Sequence, residues 1–280
     1  MLVPCAALPN GVSAAIMWRR GKPSLKRSKV PQQPQDEEAF TRGWKERFEE
    51  FAQHNEDDAG IAGWSETGLR TRLRHFEHYW RGAAPAGRWV DVGCGAGTYT
   101  RVLAARGIAV VAMDYSLPTL RKAQQRLAVP LVAADVTRLP LAAASMDGAL
   151  CFGVLQALPH SRAAVAELAR ILGAGGELWI DALNAWCVPH IGEQLWRRLR
   201  GRRPHVRYES PRRLLRLLRR AGLIECQLVW LPILPARLQR FQALLESAPV
   251  RGLLHWIPPL GALLSHSFLV RGKSPTKNAS

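Results

Sequence analysis

Polar and apolar positions divide the chain into four stretches of different rhythm. From 36 to 81, Phe40, Trp44, Phe48 and Phe51 recur at three- and four-residue steps, and Leu69, Leu73, Phe76 and Trp80 repeat that spacing. A 3.6-residue period of this kind predicts two amphipathic helices, joined by a glycine-containing loop around Trp64. After Pro85 the rhythm changes to short, continuous apolar runs at 88–92, 109–113, 131–134, 148–152 and 177–181. Helical segments separate them near 99–106, 118–127 and 162–172, an alternation that predicts a parallel sheet with crossover helices. Ser210-Pro211 followed by Leu214, Leu215, Leu217 and Leu218 and closed by Gly222 predicts one more helix, with further strands at 223–231 and 266–270. The fold expected is a doubly wound, Rossmann-like α/β sheet.

Boundaries follow from the same pattern. Residues 1–35, rich in Pro, Ser, Gln and basic groups without sustained periodicity, are expected to be a disordered tail. Residues 36–84 form an N-terminal helical cap and 85–272 the α/β domain, with insertions at 184–207 and 232–264 and a short tail at 273–280. The apolar, Pro-containing segments 228–236 and 253–264, carrying Trp230 and Trp256, are expected to form a lid.

Charge adds a second layer. Lys and Arg number 39 against 22 Asp and Glu, but the excess is confined to two places. Residues 1–35 carry six basic groups and no acid, and 197–220 holds eleven Arg with Glu209 as its one acid, which leaves the remaining chain close to neutral. Acidic partners are therefore expected at particular surfaces: an anionic membrane surface or, alternatively, nucleic acid. No apolar run approaches the ~20 residues of a spanning helix. Five scattered cysteines without a C-x-x-C pair predict no metal site and a reduced, cytoplasmic compartment, peripheral to the membrane at most.

The richest chemistry lies at 89–100, WVDVGCGAGTYT, a strand and a helix joined by Gly93, Gly95 and Gly97. Thr98 occupies the position where a dinucleotide fingerprint needs its third glycine, and Asp91 would repel a pyrophosphate. Asp114 ends the next strand, 21 residues beyond Gly93, at the interval where a carboxylate reaches ribose hydroxyls. Asp135 ends the third. Three carboxylates at adjacent strand ends suit a cationic nucleoside without phosphate, a description that S-adenosylmethionine meets.

Residues 85–182 resemble the core of class I S-adenosylmethionine-dependent methyltransferases, in the small-molecule subgroup of ubiquinone and menaquinone pathway enzymes. The motifs that carry the resemblance are VDVGCGAG, VVAMDYS, AADVTRLPL, MDGALCFGVLQAL and LGAGG, the last with Ala174 in place of the usual Pro. The resemblance implies a seven-stranded sheet and S-adenosyl-L-methionine as cofactor. It further implies glycines 93, 95 and 97 and Asp91 near the methionine part, Asp114 on the ribose, Tyr115 beside the adenine, Asp135 and Val136 at its amine, and Phe152 and Gly153 at the transfer site. An oxygen or carbon acceptor also needs a base near neutral pH. Candidates are His160, His190, His205 and Tyr208, while Gln156 stands where related enzymes often carry His. No N-P-P-Y or D-P-P-Y motif of amine-methylating relatives is present. The expected activity is methyl transfer to O or C of a small, hydrophobic or lipid-linked acceptor. The alternative is an RNA or protein methyltransferase holding its substrate with 197–220.

Overall fold

The computed structural model describes residues 33–80, 87–202 and 206–276. His205, the tail before 33 and the last four residues lie outside them. One sheet of seven strands organises the chain: β1 (Arg88–Val92), β2 (Ala109–Asp114), β3 (Leu131–Ala133), β4 (Met146–Cys151), β5 (Leu172–Leu183), β6 (Ile224–Leu231) and β7 (Ser267–Lys273). Their spatial order is β3-β2-β1-β4-β5-β7-β6. Six run in one direction, and β7 runs antiparallel between β5 and β6.

The near-continuous apolar runs arise because both faces of the sheet are covered. Along β1, Val90 and Val92 face one core with Met113, Ala149 and Ile180, while Trp89 faces the other. The first core is closed by α6 (Arg162–Ile171) and α8 (Pro211–Arg220). α6 buries Ala164, Val165, Leu168 and Ile171, one stripe of a 3.6-residue period. The second is aromatic. Phe76 and Trp80 stack at 5.1 Å, and Phe76 meets Tyr99, Phe152 and Trp179 edge-on at 5.4–5.8 Å. It joins α3 (Glu66–Tyr79) and α4 (Thr98–Ala104) to the sheet, with α5 (Leu117–Gln124) packed beside β2 and β3.

The cap differs from the expected helix pair by a short extra helix. α1 (Gln33–His54) and α3 are separated by α2 (Asp58–Ile61), a single turn capped by Asp57, whose Oδ1 accepts the Gly60 N–H at 2.7 Å. Asp58 fastens this turn to the core by accepting from Arg126 (2.9 Å), Thr98 and Arg101.

Both insertions emerge from the sheet edge that carries the glycine loop, since Leu183 at the end of β5 pairs with Ser267 at the start of β7, which pairs with Leu231. The first contains α7 (Val188–Leu199); the second contains a 3-10 turn, then α9 (Gln242–Leu245), α10 (Ala248–Trp256) and α11 (Pro258–Leu264). Residues 228–231, expected in the lid, belong to β6, where Leu231 is buried and Trp230 packs against Phe268.

Candidate functional site

β1 ends in the loop that the three glycines make possible. All three have positive φ (75°, 54° and 85°), a region where Cβ is costly. A Cβ on Gly93 would fall 2.2 Å from Val154 Cγ2 and one on Gly97 would fall 2.5 Å from Leu127 Cδ1, whereas Gly95 has open space on that side. Gly97 starts α4. The loop is held down by Met113 O, which accepts the N–H groups of Gly93 and Cys94 at 2.7 and 2.9 Å.

A cavity opens over this loop. Gly93, Gly95, Asp114, Tyr115, Asp135, Val136, Phe152 and Gly153 line its floor, so eight of the residues expected at the cofactor meet there. Its roof is the N-terminal cap: Trp44 and Phe48 of α1, Ile61 at the end of α2, and Trp64 between α2 and α3. The second insertion does not line it, so the expected lid over this cavity is supplied by the cap. Trp44 and Trp64 each have a buried indole N–H without a protein partner.

Asp114 is buried, and its carboxylate accepts from Gly95 N (3.1 Å) and Ser116 N (2.9 Å). Burial raises its pKa above the usual carboxylate value, against the lowering effect of these N–H groups. The exposed Asp135 turns back to accept from Thr137 N at 2.8 Å, and Tyr115 donates its hydroxyl to Trp44 O at 3.3 Å. Asp91 is not on the cavity wall. It lies beneath the loop, accepts the Thr100 hydroxyl at 2.6 Å, and is pushed up to about 6 by burial. Gly97 likewise shapes the loop from behind.

The three base candidates among the described residues, His160, His190 and Tyr208, are not on the cavity wall either. His160 is exposed and pairs with Glu37 of α1 at 2.9 Å. His190 is buried beyond β5, with its Nδ1 2.9 Å from Asn184 O and its ring 4.4 Å from that of Tyr208, whose hydroxyl donates to Glu193. Closeness to a motif in sequence did not translate into direction, because these side chains turn toward the cap and the first insertion.

Two residues that hold the site together, Asp181 and Arg72, went unread in the sequence. Asp181 on β5, 1% exposed, accepts the Gly153 N–H at 2.6 Å and pairs with Arg72 Nε of α3 at 2.9 Å. The Arg72 guanidinium lies 4.3 Å from the centre of the Trp64 ring, and that ring fills the space where a Gly153 Cβ would go, at 2.5 Å. Asp181 thus holds the loop after β4 and, through Arg72, the roof. The signal available was an acid inside the apolar run ELWIDAL.

Comparison with known proteins agrees with this geometry. Residues 90–180 match the methyltransferase domain family. The chain is 34% identical over 125 residues to malonyl-[acyl-carrier protein] O-methyltransferase of Serratia marcescens, covering 44% of this chain and 48% of that protein. It is 37% identical over 110 residues to demethylmenaquinone methyltransferase of Mycobacterium sp. strain KMS, covering 36% and 47%. An uncharacterized chloroplastic methyltransferase of Arabidopsis thaliana is 31% identical over 149 residues, 49% of this chain and 38% of that one. The chain therefore spans less than half the length of these relatives. The fold recurs in Haemonchus contortus phosphoethanolamine N-methyltransferase 2 solved with S-adenosylmethionine, at TM-score 0.57 and 16% identity, covering 82% of this chain and 60% of that one. Strand order, glycine loop and family match together define a class I S-adenosylmethionine-dependent methyltransferase domain. Two of these relatives are named for methyl transfer to malonyl-[acyl-carrier protein] and to demethylmenaquinone, and S-adenosylmethionine is the cofactor of the domain.

The cavity fits that molecule. Gly95 leaves a side open where any Cβ would intrude, and the lining supplies two carboxylates, one cation in Lys45, and otherwise mainly apolar surface.

Proposed function

We propose that this protein transfers the methyl group of S-adenosylmethionine to O or C of a small, hydrophobic or lipid-linked acceptor. The observation that carries the reading is the composition of the cavity: a glycine and carboxylate floor beneath a roof of Trp44, Phe48, Ile61 and Trp64. When bound, the cofactor supplies an electrophilic methyl on a sulfonium.

The chain's own residues then have separable tasks. Asp114 accepts from the ribose hydroxyls, and Tyr115 packs beside the adenine. Asp135 and the Val136 backbone read the adenine amine. Asp91 acts from below, through the loop and the field of its carboxylate. Phe152 and Gly153 form the wall at which the acceptor is aligned, and the cap excludes water from it. Alignment and desolvation are the main requirements of a displacement at methyl, so for an acceptor that arrives ionised the cavity works with its described wall residues, which include no histidine. The unpartnered indole N–H groups of Trp44 and Trp64 are donors for oxygen atoms of the bound molecules. The relatives named for malonyl-[acyl-carrier protein] and demethylmenaquinone support an apolar or carrier-linked acceptor.

The test is to incubate the protein with methyl-tritiated S-adenosylmethionine and host extract, then separate lipids, aqueous small molecules, RNA and protein. Label in lipid or small molecules is the expected result; label confined to RNA, or to amino-acid side chains of protein, would overturn the reading.

A further inference from the structure

Large apolar side chains on the surface are not spread evenly. Of fifteen that are exposed among the described residues, twelve lie in the two insertions. On α7, Val188, Ile191, Leu195 and Leu199 are all exposed, at spacings of three, four and four, so they form one stripe along the helix. His190, on the opposite side, is the buried anchor of the same helix. In the second insertion Trp256 is 86% exposed, with Ile257, Leu263 and Leu264 beside it in sequence. Scattered exposed leucines need no explanation, but a concentration of this kind marks an interaction surface.

The two insertions are joined at their roots. Asn184 Nδ2 donates to the carbonyls of Ala262 and Ser265, at 2.7 and 2.8 Å, and the His190 and His266 rings lie 4.6 Å apart. Both stand on the sheet edge that carries the glycine loop. Their charge is one-sided. Eight Arg accompany two carboxylates in the described parts of these segments, and both carboxylates are engaged: Glu193 accepts from Tyr208, and Glu246 accepts from Thr71 and Arg74. The Arg-rich helix α8 is different in kind, because its leucines turn inward, with Leu214 and Leu218 buried, and only its arginines face outward.

We propose that α7 and the α10–α11 segment form a docking face for an anionic lipid bilayer, which seats the insertion edge of the enzyme on the membrane. Apolar side chains at helical spacing, an exposed Trp and flanking Arg are the requirements of interfacial attachment. An RNA surface would leave the apolar stripe without a partner. The proposal deepens the reading of a lipid-linked acceptor and rests on it only for its purpose, since docking is measured without turnover.

The experiment is co-sedimentation of the full chain with vesicles of phosphatidylcholine alone and of phosphatidylcholine with 30% phosphatidylglycerol, beside calorimetric titration with S-adenosylmethionine. Binding is expected on the anionic vesicles and is expected to weaken as salt rises. Ile191→Ser with Leu195→Ser and, separately, Trp256→Ser should each reduce it at least tenfold while cofactor affinity stays unchanged. Arg198→Glu should reduce it by roughly fivefold or more. Retained cofactor binding shows each variant to be folded, and Trp256→Ser, at a residue almost fully in solvent, provides the second route. No binding of the native chain to anionic vesicles, equal binding to neutral ones, or native-like binding by these variants would overturn the proposal. So would a dimer that the same substitutions dissociate. Absence of cofactor binding in the native chain would instead refute the methyl-transfer reading and leave docking standing.

Discussion

Replacing Arg72 with Met tests the link between cap and sheet. The substitution keeps most of the side-chain volume and removes the charge that faces Asp181, whose own exposure is 1%. A carboxylate left buried without its partner costs about 3–5 kcal/mol, a large part of the ~5–15 kcal/mol that stabilises a typical domain. For a domain of this size the melting temperature should fall by roughly 6–20 °C. Burial already raises the pKa of Asp181, and Arg72 opposes that rise. Without Arg72 the folded-state pKa climbs further above the unfolded value. Stability held by the protonated form is then full below the unfolded pKa and lost as pH rises through the folded one. Thermal and urea unfolding at pH 5 and pH 8 should therefore give the larger deficit at pH 8. Pairing Arg72→Met with Asp181→Leu removes both charges and should recover most of the stability. It should not recover turnover, because Gly153 N–H loses its acceptor and Trp64 its guanidinium neighbour. A deficit in Arg72→Met below ~1 kcal/mol, or one equal at the two pH values, would refute the reasoning.

Other consequences are as specific. Asp91, held at about 6 by burial, should make cofactor affinity rise about tenfold between pH 5 and pH 7 and level off above, since a cation favours its ionised form; a flat calorimetric profile would contradict this. In the absence of cofactor its folded-state shift destabilises the protein as pH rises from the unfolded pKa through about 6, by about 3 kcal/mol at pH 8. Asp91→Asn should accordingly melt higher than the native chain at pH 8 and not at pH 4. Gly153→Ala must seat a Cβ 2.5 Å from the Trp64 ring at a φ of +76°; turnover should fall at least tenfold, with KM for the acceptor rising. His160→Ala removes an exposed pair with Glu37 and should leave turnover within about twofold; a hundredfold loss would return His160 to the reacting centre.

The sheet was largely legible because each buried strand is a short apolar run between turn residues, and both faces of such a strand carry the same hydrophobic demand. Boundaries moved by a residue or two at the strand ends, where loop geometry takes over. β5 was read short, since the glycines of LGAGG hide that it starts at Leu172 and pairs across a register shift near Met146. The cofactor floor was legible because glycine spacing and strand-end carboxylates are local features. The roof was not: an amphipathic stripe says that Trp44 and Phe48 are covered, without saying by what. Nor was the ion pair of Arg72 and Asp181, whose partners are 109 residues apart in sequence. His160 and His190 lie off the cavity wall for the converse reason, since sequence neighbourhood does not set the direction of a side chain.

The central claim is that the cavity over the glycine loop holds S-adenosylmethionine. Its most direct test is calorimetric titration of the native chain, Asp114→Ala and Asp135→Ala with S-adenosylmethionine at pH 7.5, with thermal unfolding of each run in parallel. The native chain is expected to bind one equivalent, Asp114→Ala at least tenfold more weakly, and Asp135→Ala several-fold more weakly with unchanged melting. Native-like affinity in both variants would place the cofactor elsewhere and contradict the account.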